Sequence, residues 1–187
     1  MKNLLFLLVL TLAFSVNAQE KSKLGTQEIN WITIDEAQEA MKKEPRKIMM
    51  DVYTKWCGPC KMMMKNTFTN TDLIEYINKH YYAVKFDAES KEDVTFRGEP
   101  YTNPDYVEGK AGRNGVHTFS RFIGITAYPS LVYIDEELNL LTVDKGYKTA
   151  PDVEKFLRFF KEDMHLVDNP QEKWQNYNKT FVPTFKQ

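Results

Sequence analysis

Hydrophobic positions change period several times along the chain, and each change marks the edge of an element. Ala37, Ala40 and Met41 recur at helical spacing behind Thr33-Ile34-Asp35-Glu36, whose Thr-x-x-Glu form is a capping box. That helix is expected to stop before Pro45. Lys47–Tyr53 is a short, mostly apolar run, as for a buried strand. A helix from about Pro59 to Lys65 should follow, and then a second over Asp72–Lys79 with Leu73, Ile74 and Ile77 as its apolar side. Tyr82–Asp87 reads as the next strand. From Ala88 to Val116 the pattern breaks down into charges, glycines, Pro100 and Pro104. A loop this long without structure is uncommon in a compact domain and is usually functional or disordered. Periodicity returns with a helix at His117–Phe122 and a strand at Ser130–Ile134. Asp135–Asn139 turns the chain into a partner strand at Leu140–Val143. Thr149 caps a helix through Met164 with Val153, Phe156, Leu157 and Phe160 on one face. Asn169-Pro170-Gln171-Glu172 opens a last helix into an aromatic tail carrying Trp174, Tyr177, Phe181 and Phe185.

Strand–helix–strand–helix–hairpin–helix implies an α/β fold with a central mixed sheet covered by helices. The expected organisation is a leader at 19–30, polar and flexible, a domain at 31–164 and a C-terminal extension at 165–187. No internal repeat is visible.

The first residues change the picture of where the domain works. Lys2 precedes an apolar run from Leu4 to Val16, and Val16-Asn17-Ala18 gives way to polar Gln19-Glu20-Lys21. This is the form of a secretory signal peptide, residues 1–18, cleaved after Ala18. The run is shorter than the roughly 20 apolar residues of a transmembrane helix. An exported product, periplasmic or secreted, is expected. A net charge of −1 and the lack of a Lys/Arg block argue against a nucleic-acid surface. A monomer is expected.

The candidate chemistry lies in Lys55-Trp56-Cys57-Gly58-Pro59-Cys60-Lys61, which holds the only 2 cysteines of the 187 residues. Two thiols at this spacing can close a small disulfide ring at the start of a helix. Gly58 and Pro59 supply the turn, Pro59 suiting a first helical position. The helix N-terminus favours thiolate over thiol at Cys57. The pair alone also allows a structural staple, or half a metal site with one of His80, His117 and His165. Met62-Met63-Met64 invites copper chemistry, but consecutive helical residues point in different directions. Asn178-Lys179-Thr180 has the form of a glycosylation triplet.

Over residues 31–163 the chain resembles the thioredoxin family on an ordered set of positions. Asp51, six residues before Cys57, matches the buried acid behind that family's dithiol, and Trp56–Lys61 matches the active-site motif. Lys85 in Val84-Lys85-Phe86-Asp87 matches the lysine beside the acid. Tyr128-Pro129-Ser130 matches the cis-proline segment, and Gly146 a glycine near the substrate surface. Met50–Cys57 and Val84–Glu89 are similar to exported thioredoxin-like reductases such as the C-terminal domain of the membrane disulfide-interchange reductase. The resemblance implies a thioredoxin fold with an insertion at about 88–116 and an added tail.

The same resemblance implies roles. Cys57 would attack a substrate disulfide and Cys60, one turn further in and more buried, would resolve the mixed disulfide. Asp51 would take the proton from Cys60, with Lys85 as its partner. Trp56, Gly58, Pro59, Tyr128, Pro129 and Gly146 would form the substrate-binding surface, the backbone of Tyr128 pairing with an extended segment. Protein disulfides are the expected substrates and a membrane protein the electron donor, with no bound cofactor or metal. The competing readings are a redox-inactive binding module and a copper-delivery protein built on the cysteine pair.

Overall fold

A computed structural model describes residues 28–186. The signal-peptide reading and most of the leader lie outside these residues. Ile29, placed in the leader by sequence, is buried in the core, so the ordered domain begins before residue 31.

In chain order the elements are β1 (Trp31–Ile32), α1 (Ile34–Met41), β2 (Ile48–Tyr53), α2 (Gly58–Asn66), α3 (Thr71–His80) and β3 (Tyr82–Asp87). Then come β4 (Val94–Phe96), β5 (Glu99–Tyr101), α4 (Thr118–Phe122), β6 (Ser130–Ile134), β7 (Leu140–Lys145), α5 (Ala150–Lys161) and α6 (Pro170–Thr180). The main sheet has the order β1-β3-β2-β6-β7. β1 and β2 run parallel to β3, whereas β6 is antiparallel to both β2 and β7. This is the mixed, helix-covered sheet expected from the element order.

β2 sits at the centre, which explains its apolar run: every residue from Ile48 to Val52 is buried, Asp51 included. Alternate residues of the inner strands feed two cores. Met50, Val52, Val84, Phe86, Val132 and Ile134 pack with Ile34, Ala37 and Met41 of α1 and Phe119 of α4. Met49, Ala83, Leu131 and Tyr133 pack with Met63 of α2, Leu73, Ile74 and Ile77 of α3, and Val153, Leu157 and Phe160 of α5. Asp51 and Lys85 share this second face by the period-2 rule of strands. It is the face that α2 covers.

The segment 88–116 is folded, which corrects the reading of it as patternless. Its β4–β5 hairpin turns on Arg97 and Gly98, with φ of 54° and 82°, as a two-residue primed turn requires. Val94 and Phe96 are buried against the α1–α4 core. The imidazole of buried His117 accepts the Phe119 N–H and faces the Glu92 carbonyl at 3.1 Å, tying the insertion to α4. Gly115 packs where a Cβ would strike the Asp105 carbonyl, so only glycine fits there.

The tail closes over the α3–α5 side. Trp174 of α6 packs tilted against Phe156 and edge to face against Phe159, ring centres 4.5 and 4.9 Å apart. Beyond α6, Phe185 is buried. The fully buried Glu154 of α5 accepts the N–H groups of Thr184 and Phe185 at 2.9 and 3.0 Å, the Thr184 hydroxyl at 2.5 Å and Arg158 Nε at 2.7 Å.

Candidate active site

β2 ends at Tyr53, and five residues later the chain enters α2, so the cysteines stand at the carboxyl end of a central strand. Cys57 is the N-cap of α2 in extended conformation, with Gly58 and Pro59 opening the helix. Cys57 and Cys60 are joined in a disulfide, and the Cys60 N–H donates to Cys57 Sγ at 3.1 Å. A thiolate released at Cys57 would lie at a helix start whose free N–H groups and dipole favour negative charge. Cys60 was expected to be the more buried. Instead the two are equally enclosed, 3% and 4% exposed, because the N-cap position tucks Cys57 against the first turn of α2. Gly58 and Pro59 are the exposed part of the ring.

Asp51 and Lys85 are register partners on β2 and β3, with Nζ 3.8 Å from Oδ2. Burial pushes the Asp51 carboxyl up to about 6, Lys85 opposing only part of the shift. Burial likewise lowers Lys85, against the pull of Asp51. The ammonium is boxed by Met64 Sδ at 2.7 Å and by the rings of Tyr53 and Trp31, at 4.8 and 5.3 Å. A cavity of about 230 Å³ touches Cys60, Met64 and Lys85, so the inner cysteine and the lysine beside Asp51 open onto one space.

On the other side of the ring the Tyr128–Pro129 bond is cis, and the Gly146 N–H donates to the Pro129 carbonyl at 2.8 Å. Gly146 has φ of 85°, a conformation suited to glycine. Trp56 and Tyr128 meet edge to face at 5.9 Å. Three residues that sequence reading missed join them from the insertion. Glu89 accepts the Trp56 indole N–H at 2.9 Å and the Asn114 N–H at 3.0 Å, and the Arg113 guanidinium lies 4.5 Å from the Trp56 ring centre. Only Glu89 left a trace in the sequence, standing two residues past the end of a parallel strand, where α/β sites gather. Among the described residues, no group of three or more His, Cys, Asp and Glu side chains could hold a metal, so no histidine joins the cysteines.

A Cys-x-x-Cys disulfide capping a helix at the end of a central strand, beside a buried acid–lysine pair and a cis-proline, defines the class of thioredoxin-like oxidoreductase folds. The family model described as thioredoxin-like domain matches residues 34–161, and the chain belongs to that family. It is similar to mitochondrial thioredoxin-3 of Saccharomyces cerevisiae, 36% identical over 72 residues, 38% of this chain and 53% of the relative. The chain thus spans about half the length of the curated relative it matches. Among solved structures it resembles a thioredoxin-fold protein from Helicobacter pylori, with a TM-score of 0.54 and 13% identity over 80% of this chain and 86% of that one. It also resembles a DsbH oxidoreductase, with a TM-score of 0.50 and 17% identity over 81% and 94% of the two chains. At these identities the structural likeness speaks for the fold.

Proposed function

We propose that this chain is an exported thiol–disulfide oxidoreductase that reduces protein disulfides. The observation that carries the reading is the Cys57–Cys60 ring capping α2 on the sheet face where Asp51 and Lys85 are buried together. A structural staple has no use for an ionisable pair at that place. In the reduced enzyme Cys57 thiolate attacks one sulfur of a substrate disulfide. A mixed disulfide forms, and the departing substrate thiolate takes a proton from solvent. Cys60 then passes its proton to Asp51 and attacks Cys57 Sγ, which frees the second substrate thiolate and leaves the enzyme disulfide. A carboxyl held at about 6 is matched to such proton transfer near neutrality.

The Gly58-Pro59 ring start supports the reducing direction. In that direction each turnover needs two electrons and two protons from a partner dithiol, and for an exported chain the donor is a membrane protein. Residues 1–18 support export, which N-terminal sequencing of the product tests.

Thiol titration before and after dithiothreitol, followed by an insulin-reduction assay, tests the chemistry. Turnover that survives chelator, vanishes in Cys57→Ser and stalls as a trapped mixed disulfide in Cys60→Ser is expected. Thiols protected only by added Cu(I), without turnover, would favour the copper-delivery reading. A potential near about −270 mV against glutathione marks a reductase, and one near about −120 mV an oxidase.

A further inference from the structure

The insertion builds a wall beside the dithiol. A groove of about 380 Å³, within the size range of ligand pockets, runs between the Trp56 and Tyr128 rings on one side and residues 113–116 on the other, with Thr126 and Ala127 completing it. The wall is held in place by a short chain of contacts. Asn114 Oδ1 accepts the Val107 N–H at 2.8 Å and its amide donates to the Val107 carbonyl at 2.9 Å, closing the loop on itself. Its backbone N–H reaches Glu89, which in turn holds the Trp56 indole. Arg113 is thereby set over the face of Trp56, one residue before Cys57.

The charges in this groove are unequal in reach. Glu89 is 8% exposed, and one of its oxygens already accepts two N–H groups. Arg113 is exposed, and among the described residues no carboxylate lies within 4.0 Å of its guanidinium. A guanidinium stacked on an aromatic ring keeps its N–H edge free, and that edge matches a carboxylate in a two-bond fork. A chain approaching Cys57 along Trp56 and Tyr128 meets this cation before it meets Glu89.

We propose that the groove is a substrate subsite in which Arg113 selects polypeptides bearing an acidic side chain within two residues of the disulfide to be reduced. The inference rests on the oxidoreductase reading and adds a preference that the dithiol alone does not supply. Arg113 acts as a specificity residue with no part in sulfur exchange.

The test uses the full chain, pre-reduced, against disulfide-linked peptides that differ at the four positions flanking the cysteine by Glu, Gln or Lys. The neutral, side-chain-free 2-hydroxyethyl disulfide is run beside them. Expected for the wild type is a kcat/KM about tenfold or more higher for a Glu peptide than for its Gln counterpart, the scale of a charge-assisted hydrogen bond. The Lys peptide should be poorest, and the spread should shrink as salt rises. Arg113→Glu should invert the order. Equal rates across the series with normal turnover of 2-hydroxyethyl disulfide overturn the subsite and leave the oxidoreductase standing. A Lys preference does the same and assigns the groove to Glu89, and a Glu preference that survives Arg113→Glu assigns it elsewhere. No turnover of any disulfide, the neutral one included, sinks the oxidoreductase reading and this inference with it.

Discussion

Asp51 and Lys85 face each other across adjacent parallel strands, Nζ 3.8 Å from Oδ2, with the acid 2% exposed and the lysine about a quarter exposed. The inequality decides which partner suffers. The lysine reaches the Cys60 cavity and two aromatic faces, while the acid has only the lysine, so burial outweighs attraction and Asp51 rises to about 6.

A raised carboxyl weakens the fold whenever it is ionised. From 3.8 unfolded to about 6 folded, the cost is absent below about pH 4, grows through pH 6 and levels off above it. The full difference is on the order of 2–3 kcal/mol at about 1.4 kcal/mol per unit. Asp51→Asn, which cannot ionise, should raise urea-unfolding stability of the oxidised protein by about 2 kcal/mol at pH 8 and leave it nearly unchanged at pH 4. A variant less stable than wild type at pH 8 would mean that the Lys85 contact outweighs burial.

Lys85 moves the same group in the opposite sense. Its charge holds Asp51 below where burial alone would put it, so Lys85→Met should raise the Asp51 value above 6. If Asp51 accepts the Cys60 proton, the acidic limb of the kcat profile should then shift toward higher pH. Asp51→Asn should remove that limb and slow decay of the mixed disulfide about 100-fold, the usual range for a lost general base. Stopped-flow release of the second substrate thiol reads both. A limb unmoved in Lys85→Met would separate the lysine from proton transfer.

These two residues were legible through the family resemblance, since Asp51 stands six residues before Cys57 and Lys85 on the next strand, at the places of that family's acid and lysine. The β4–β5 hairpin was not. Its strands have three residues each, and its primed turn uses Arg97 where Asn or Asp is the usual signal. Arg113 and Asn114 sit in a glycine-rich stretch with no period, and their place over Trp56 depends on a buried Glu89 more than twenty residues away. The tail was visible as an aromatic helix. Its anchor was hidden, because Glu154 lies on a helix whose apolar stripe hides one buried charge.

That charge is the tail's attachment. Burial alone would raise the Glu154 carboxyl, but hydrogen bonds from Thr184, Phe185 and Arg158 hold it below the usual range. It therefore contributes stability that is present above pH 4.5 and lost as pH falls through its lowered folded value. Glu154→Ala orphans two backbone N–H groups and should cost about 3 kcal/mol. Residues after Phe181 should become open to limited proteolysis before the domain unfolds. Protection equal to wild type would show that Trp174 and Phe185 hold the tail without it.

His117 ties the insertion to α4 and must be neutral to do so, since Nδ1 accepts the Phe119 N–H while Nε2 faces the Glu92 carbonyl and donates to it. Burial lowers its affinity for protons, and the Glu92 contact and Asp93 counter this only in part. Its contribution to stability is complete above pH 6.5 and is lost as pH falls through the lowered folded value. Asp51 titrates in the same window with the opposite sign, so the two effects mask each other in the wild type. In an Asp51→Asn background the masking is removed. There, stability should fall between pH 7.5 and 5, and trypsin, its rate scaled at each pH to that on an unfolded peptide, should cut relatively faster at exposed Lys110 and Arg113 of the insertion. His117→Gln in that background should weaken both trends, because the amide has no proton to gain, while His80 and His165, whose affinity for protons burial also lowers, keep part of the stability slope. Equal scaled rates at the two pH values would show that the buried Phe96 and Val94 hold the segment on their own.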